Sequence, residues 1–237
     1  MKYYIIAGEA SGDLHASNLM KEIKLLDKEA IFRYWGGDMM EKEGGVLVKH
    51  YRDLAFMGFT EVVMNLRTIF KNINFCKKDI LEFNPDVVIL VDYPGFNLRI
   101  AKFAKANGIK VFYYISPQIW AWKESRVHAI KQTVDRMFVI LPFEKDFYKK
   151  YNYDVDFVGH PLLDAVTSPQ PSPKEREKVI AILPGSRKQE IAKMLPVMLS
   201  IKNDFNDYQF VIAAAPSVNE DFYNSFIKKL ALIIPII

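Results

Sequence analysis

The sequence predicts an α/β protein built on a parallel sheet, with a second, shorter α/β unit behind a proline-rich linker. Three observations carry this prediction. Strand-like runs rich in branched and aromatic residues recur at 3–7, 30–35, 86–91, 109–115 and 135–140, most of them separated by stretches of helical period. One run, Val87-Val88-Ile89-Leu90-Val91, is apolar without alternation, as a parallel strand buried on both faces must be. Ser168-Pro169-Gln170-Pro171-Ser172-Pro173 and the charged residues to Lys178 form an extended segment with nothing to bury, after which the strand and helix pattern starts again. The predicted division is a first domain over 1–167, a linker over 168–178 and a second unit over 179–237.

Along the chain, the first strand runs into Gly8-Glu9-Ala10-Ser11-Gly12-Asp13, a small acidic turn before a helix over 14–26. Gly8 and Gly12 permit tight turns and close approach of a ligand, and Ser11 or Asp13 can cap the helix. The segment reads equally well as a ligand wall, since ligands of open α/β sheets bind beyond the carboxyl ends of the strands, or as a plain capped helix. Crossover helices are predicted over 60–82, 96–107, 123–133 and 143–151, and Asn107-Gly108 stops the one over 96–107. The second unit is predicted as strand 179–183, helix from about 187 to 203, strand 209–214 and helix 218–229. Roughly 60 residues with two strands bury little surface for a doubly wound domain. Leu230 to Ile237 then read as the start of a third strand, so the chain is expected to be C-terminally incomplete; a terminal strand packed on the first domain is the alternative.

Composition narrows the class. Half of the 237 residues are hydrophobic and 25% are charged, with a net charge of +4, which suits a phosphorylated substrate or an anionic membrane surface without requiring either. No zinc-finger spacing, RNP-type motif or long Lys/Arg run points to nucleic acid. The single cysteine, Cys76, permits no intrachain disulfide, reads as a small buried hydrophobe and favours a reducing, cytoplasmic compartment. No apolar run approaches the ~20 residues of a spanning helix. The four histidines, 15, 50, 128 and 160, lack paired ligand spacing, so neither a metal nor another cofactor is expected. His15 and His160 adjoin predicted loops, where each is either a ligand contact or a hydrogen-bonded structural residue.

Four segments carry chemistry. Leu183-Pro184-Gly185-Ser186-Arg187 ends a strand and opens a helix, so backbone N–H groups and the guanidinium can receive a phosphate or pyrophosphate. Asp92, at the end of the buried strand, is either a helix cap or a partly shielded carboxylate of raised pKa that takes a proton from an acceptor hydroxyl. Trp120 and Trp122, read as lying in a polar loop after Ser116-Pro117, either stack on a sugar or line an acyl channel, or else belong to the core. Segment 56–75 carries more large apolar side chains than a crossover helix must bury, Met57, Phe59, Val63 and Phe70 among them, beside Arg67 and Lys71. That pattern fits an interfacial helix on an anionic leaflet or a core helix with a basic outer face.

Together Gly8 to Asp13, Met57-Gly58, Asp92-Tyr93-Pro94-Gly95-Phe96-Asn97, Ser116-Pro117 with Trp120-Ala121-Trp122, Leu141-Pro142-Phe143-Glu144, Gly159-His160 and Leu183 to Arg187 resemble bacterial lipid-A-disaccharide synthases in order and spacing over about residues 3–215. The resemblance implies a GT-B fold of two Rossmann-like domains, the second incomplete here, and a metal-independent inverting glycosyltransferase. It implies that UDP-diacylglucosamine is joined to diacylglucosamine phosphate at the cytoplasmic side of the inner membrane, by a peripheral enzyme that can form a homodimer at full length. Carried over residue by residue, Asp92 falls on the essential aspartate and Arg187 on the essential phosphate-side arginine. Substrate contact is implied for Gly8, Glu9, Ser11, Gly12 and Asp13, for Asn97, Ser116, Trp120, Trp122 and His160, and for Gly185 and Ser186. Asp92, the indoles and Arg187 are expected along one sheet edge. Gly95 stands where many members carry aspartate, which leaves Asp92 as the principal base candidate. The alternatives are a catalytically silent lipid-binding fragment and a UDP-sugar epimerase of the same fold.

Overall fold

Strands buried on both faces need helices on both faces, and this requirement sets the architecture. The computed structural model describes residues 1–54, 66–165, 178–215, 218–229 and 236, and divides into two compact units, Met1–Val166 and Thr167–Ile237. The first unit holds β1 (Lys2–Ala7), β2 (Ile31–Gly36), β3 (Val46–His50), β4 (Val87–Val91), β5 (Lys110–Tyr114), β6 (Arg136–Val139) and β7 (Asp156–Phe157). All pair in parallel, in the order β3-β2-β1-β4-β5-β6-β7. Its helices are α1 (Ala10–Leu26), α2 (Asp38–Lys42), α3 (Leu66–Phe83), α4 (Pro94–Ala106), α5 (Ile119–Trp122), α6 (Arg126–Thr133), α7 (Pro142–Lys149) and α8 (Leu162–Ala165).

Alternate strand residues feed two cores. Tyr4, Ile6, Val88, Leu90, Val111 and Tyr113 pack under α3, α4, α6 and α7 through Cys76, Ile80, Ile100, Ile130 and Phe147. Ile5, Ala7, Tyr34, Val87, Ile89 and Val91 pack on the other face under α1 and α2 through Ala16, Met20 and Met40. Cys76 is fully buried, as expected of a small hydrophobe.

The amphipathic helix α3 is tied down by a polar network. Asp79, 4% exposed, receives both arms of the Arg33 guanidinium from β2, with Nε at 2.9 Å, and the Tyr4 hydroxyl of β1 at 2.7 Å. Trp35 Nε1 in turn donates to the Tyr4 oxygen at 2.8 Å. Three elements therefore share one buried carboxylate. Among the described residues no helix is long and apolar enough to cross a membrane.

The second unit pairs β8 (Val179–Ile182) with β9 (Gln209–Ile212) in parallel and packs α9 (Lys188–Ser200) and α10 (Glu220–Lys229) around Ile182, Leu195, Phe210, Ile212 and Tyr223. Ile236, in the expected third strand, bridges to Ile212 in parallel. Most of the linker, and the rest of 230–237, lie outside the described residues.

Three expectations are corrected. The edge strands β3 and β7 were not predicted, because edge strands need not be apolar: β3 carries Lys49 and His50, and β7 begins with an aspartate. Helix α1 starts at Ala10, not 14, with Glu9 as its N-cap and no side-chain cap bond, so neither Ser11 nor Asp13 caps it. The indole segment is a single helical turn, α5, and not an open loop.

Candidate active site

The strand order reverses between β1 and β4, the place where ligands enter doubly wound folds. Gly8 and Glu9 leave β1 there, and Asp92 and Tyr93 leave β4. Gly8 is glycine for a steric reason, since a Cβ would meet the Tyr93 ring at 2.3 Å. Gly12 lets α1 close on the strand end, where a Cβ would meet that of Ala7 at 3.3 Å. Neither glycine has a positive φ, so close packing, and not a special turn, requires them.

Asp92 and Tyr93 do have positive φ, +45° and +49°, and Ile115 at the end of β5 has +65°. Left-handed backbone at such residues costs of order 1–3 kcal/mol each and persists only where the surroundings enforce it. The surroundings here are specific. The Asp92 carbonyl accepts from Asn97 Nδ2 at 2.7 Å and from the Tyr113 hydroxyl at 2.5 Å, and its N–H donates to the Tyr114 carbonyl at 3.1 Å. Pro94 at the start of α4 disfavours the right-handed helical region for Tyr93, which reinforces the turn. Helix α4 is N-capped by Tyr93 without a side-chain bond, which removes the helix-cap reading of Asp92. The Asp92 carboxyl is half-buried, and burial raises its pKa above the ordinary aspartate value, partly countered by the Tyr93 backbone N–H.

Several expected substrate contacts have other work. Asp13, 2% exposed, accepts from the backbone N–H groups of Gly37, Met39 and Met40 at 2.7, 3.0 and 3.1 Å, so it caps α2. Asn97, fully buried, spends its amide hydrogens on the β4 end, while its Oδ1 has no partner. Ser116, 5% exposed, shares a hydrogen bond with the Tyr148 hydroxyl at 2.7 Å. These three differ from the expectation in supporting the edge from below. Ser11 is exposed and Glu9 half-buried.

Trp120 meets Phe143 edge to face at 4.9 Å, and its Nε1 is buried without a partner. Trp122 stands 86% exposed. His160, half-buried after β7, accepts the Leu162 N–H on Nδ1 at 3.2 Å. Burial and, secondarily, the nearby His160 lower the pKa of His15, whose Nδ1 is buried and unpartnered. Among the described residues no group of three or more His, Cys, Asp or Glu could hold a metal ion.

Gly185, Ser186 and Arg187 follow β8, in the sheet of the second unit and not on the edge that carries Asp92, which corrects the expectation of a single edge. Gly185 has φ +111°, and a Cβ there would meet Glu190 Oε2 at 2.9 Å. Arg187 is the N-cap of α9 and pairs with Glu190 Oε1 at 3.2 Å, both side chains about half exposed. The first N–H groups of α9 have no helical partners and favour an anion. Phe70 is 56% exposed on α3, whereas Met57, Phe59 and Val63 lie outside the described residues.

The family model for lipid-A-disaccharide synthetase matches residues 3–236. The chain belongs to the lipid-A-disaccharide synthase family. The synthase of Syntrophus aciditrophicus is 44% identical over 239 residues, covering 95% of this chain and 62% of that protein. That of Geobacter metallireducens is 43% identical over 229 residues, covering 91% and 59%. The chain thus spans about three-fifths of the length of the curated family members it matches. Among solved structures, a UDP-GlcNAc 2-epimerase from Methanocaldococcus jannaschii in complex with UDP-GlcNAc and UDP superposes with a TM-score of 0.67 at 14% identity, over 100% of this chain and 73% of that one. A UDP-GlcNAc 2-epimerase from Neisseria meningitidis bound to UDP-GlcNAc gives 0.65 at 14% identity, over 100% and 72%. At such identity the likeness speaks for the fold, which is of the GT-B class.

Tyr93, expected with Phe96 to shield Asp92, also closes over Gly8, and the residues that sequence reasoning missed are Tyr113 and Glu190. Tyr113 acts through a contact that spacing does not encode, whereas Glu190, three residues after Arg187, stands at a spacing that brings helical neighbours together.

Proposed function

We propose that the whole protein is a metal-independent inverting glycosyltransferase that joins UDP-2,3-diacylglucosamine to 2,3-diacylglucosamine 1-phosphate, giving the lipid A disaccharide and UDP. The observation that supports this reading is Asp92 itself, a half-buried carboxyl of raised pKa at the strand-order reversal of a chain in this family. Asp92 takes the proton from the acceptor hydroxyl as that oxygen attacks the anomeric carbon. The bond from that carbon to the diphosphate oxygen breaks on the opposite face, and the departing charge meets Arg187 and the N–H groups that open α9. Gly8, Glu9, Ser11, Gly12, Trp120, Trp122 and His160 border the acceptor side, and Gly185 with Ser186 the diphosphate. Asp13, Asn97 and Ser116 hold that edge in shape.

The exposed Phe70, with the exposed Arg67 and Lys71 beside it, supports peripheral contact of α3 with an anionic inner-membrane surface. In the whole protein, Arg187→Ala is expected to lower kcat/KM for the UDP-sugar by roughly 10²–10³-fold, the scale of losing one preorganised donor to developing charge. Arg187→Lys restores only part of it, because a point charge does not replace the planar fork. Steady-state kinetics with both lipids checks this, and a variant with normal kcat/KM overturns the assignment of Arg187.

A further inference from the structure

The end of β4 is built in a way that a strand end does not require. The chain is left-handed at two consecutive non-glycine residues, Asp92 at φ +45° and Tyr93 at φ +49°. Such backbone is unfavourable by itself and persists only where its surroundings hold it. For Asp92 the hold is on the main chain. Its N–H donates to the Tyr114 carbonyl at 3.1 Å, and its own carbonyl oxygen receives two side-chain donors, Asn97 Nδ2 from α4 at 2.7 Å and the Tyr113 hydroxyl from β5 at 2.5 Å.

Both donors sit in the core, each fully buried. The Asn97 amide also points at the Val91 carbonyl, 3.3 Å away, while its Oδ1 has no partner among the described residues. An unsatisfied buried acceptor is rare, and here it accompanies an amide turned to spend its hydrogens on the strand end. Burial, reinforced by the Asp92 charge, holds the Tyr113 pKa well above its ordinary value, so the hydroxyl remains a donor throughout the neutral range. Phenylalanine would fill the place of the Tyr113 ring equally well. What the hydroxyl adds is direction. The substituents of Cα are close to tetrahedral, so anchoring the Asp92 N–H on one side and its carbonyl on the other fixes the Cα–Cβ bond and leaves the carboxyl only its own rotations. Relaxation of residue 92 to extended or right-handed backbone would swing that bond, and a displacement of roughly 1 Å at a reacting group can lower a rate about 10²-fold.

We propose that Tyr113, with Asn97, is a positioning residue for glycosyl transfer: its hydroxyl holds the main-chain oxygen of residue 92, so that the left-handed turn persists and the carboxyl keeps one direction toward the acceptor hydroxyl. This role rests on the reading of Asp92 as the base.

The test is a double-mutant cycle in the whole protein. Tyr113→Phe keeps the ring and removes the hydroxyl. It is expected to lower kcat at least about tenfold, with KM for either lipid within about twofold and circular dichroism unchanged. The acidic limb of its pH profile moves to lower pH, because a carboxyl released from the turn gains water and its pKa falls toward the ordinary value. In the Asp92→Asn background the same change alters the residual rate by less than about twofold, since no base remains to be misplaced. Asn97→Ala withdraws the second donor and repeats the pattern, which keeps the proposal testable if Tyr113→Phe does not fold. A folded Tyr113→Phe enzyme with kcat within about twofold of the unsubstituted one overturns the proposal. So does a loss that recurs undiminished in the Asp92→Asn background, the mark of a merely structural role. The two readings fail separately. Near-normal turnover of Asp92→Asn removes the base and the positioning role with it, whereas a disabled Asp92→Asn beside a normal Tyr113→Phe removes the positioning role alone.

Discussion

Replacing Asp92 by asparagine in the whole protein is expected to cut disaccharide formation by about 10²–10⁴-fold, the usual contribution of a positioned general base. The amide keeps the shape of the carboxyl but cannot accept the proton. The fold should survive, because Asn97 and Tyr113 hold the main-chain oxygen of residue 92 and not its side chain. Stability should even be equal or higher at neutral pH. Burial raises the pKa of Asp92 in the folded state, so the charged carboxylate opposes folding once pH rises through that raised value, and the neutral amide removes the penalty. Loss of transfer with an undiminished melting temperature therefore separates a catalytic role from a structural one. Near-normal turnover would remove Asp92 from the mechanism.

The largest effect on stability is expected at Asp79→Ala. This change leaves the Arg33 guanidinium and the Tyr4 hydroxyl without their shared acceptor beneath α3. Removing one partner of a buried pair costs about 3–5 kcal/mol, and Arg33, 30% exposed, can recruit some water, which places the loss near ~3 kcal/mol. For a chain of this size that is a melting-point drop of roughly 6–12 °C. Because α3 carries Phe70, the same variant should weaken sedimentation with anionic vesicles. Pairing it with Arg33→Met should recover part of the stability, since the uncompensated cation is gone. If Asp79→Ala alone melts within 1–2 °C of the unsubstituted chain, the network contributes little.

The buried strands were legible because a parallel strand covered on both faces must be apolar throughout, as 87–91 is. The edges were not, because β3 and β7 are released from that requirement and β7 is only two residues long. The placement of Asp92 beyond a strand end followed from the same reasoning. What the pattern could not show is how that turn is held. The αL pair at 92 and 93, the Asn97 amide between strand ends and the Tyr93 ring over Gly8 are contacts between segments far apart in sequence. The start of α1 was misplaced for a related reason. Glycine, serine and aspartate discourage helix locally, but Gly12 packs against Ala7 and Asp13 reaches across to α2, and this tertiary packing outweighs propensity.

The dependence of kcat/KM on pH, measured for the whole protein and for its Asp92→Asn variant, tests the central claim most directly. The account predicts an acidic limb with a pKa above the ordinary aspartate value of about 3.9, and its disappearance from the residual activity of the variant. A limb at or below that value, or the same limb in both proteins, would contradict it.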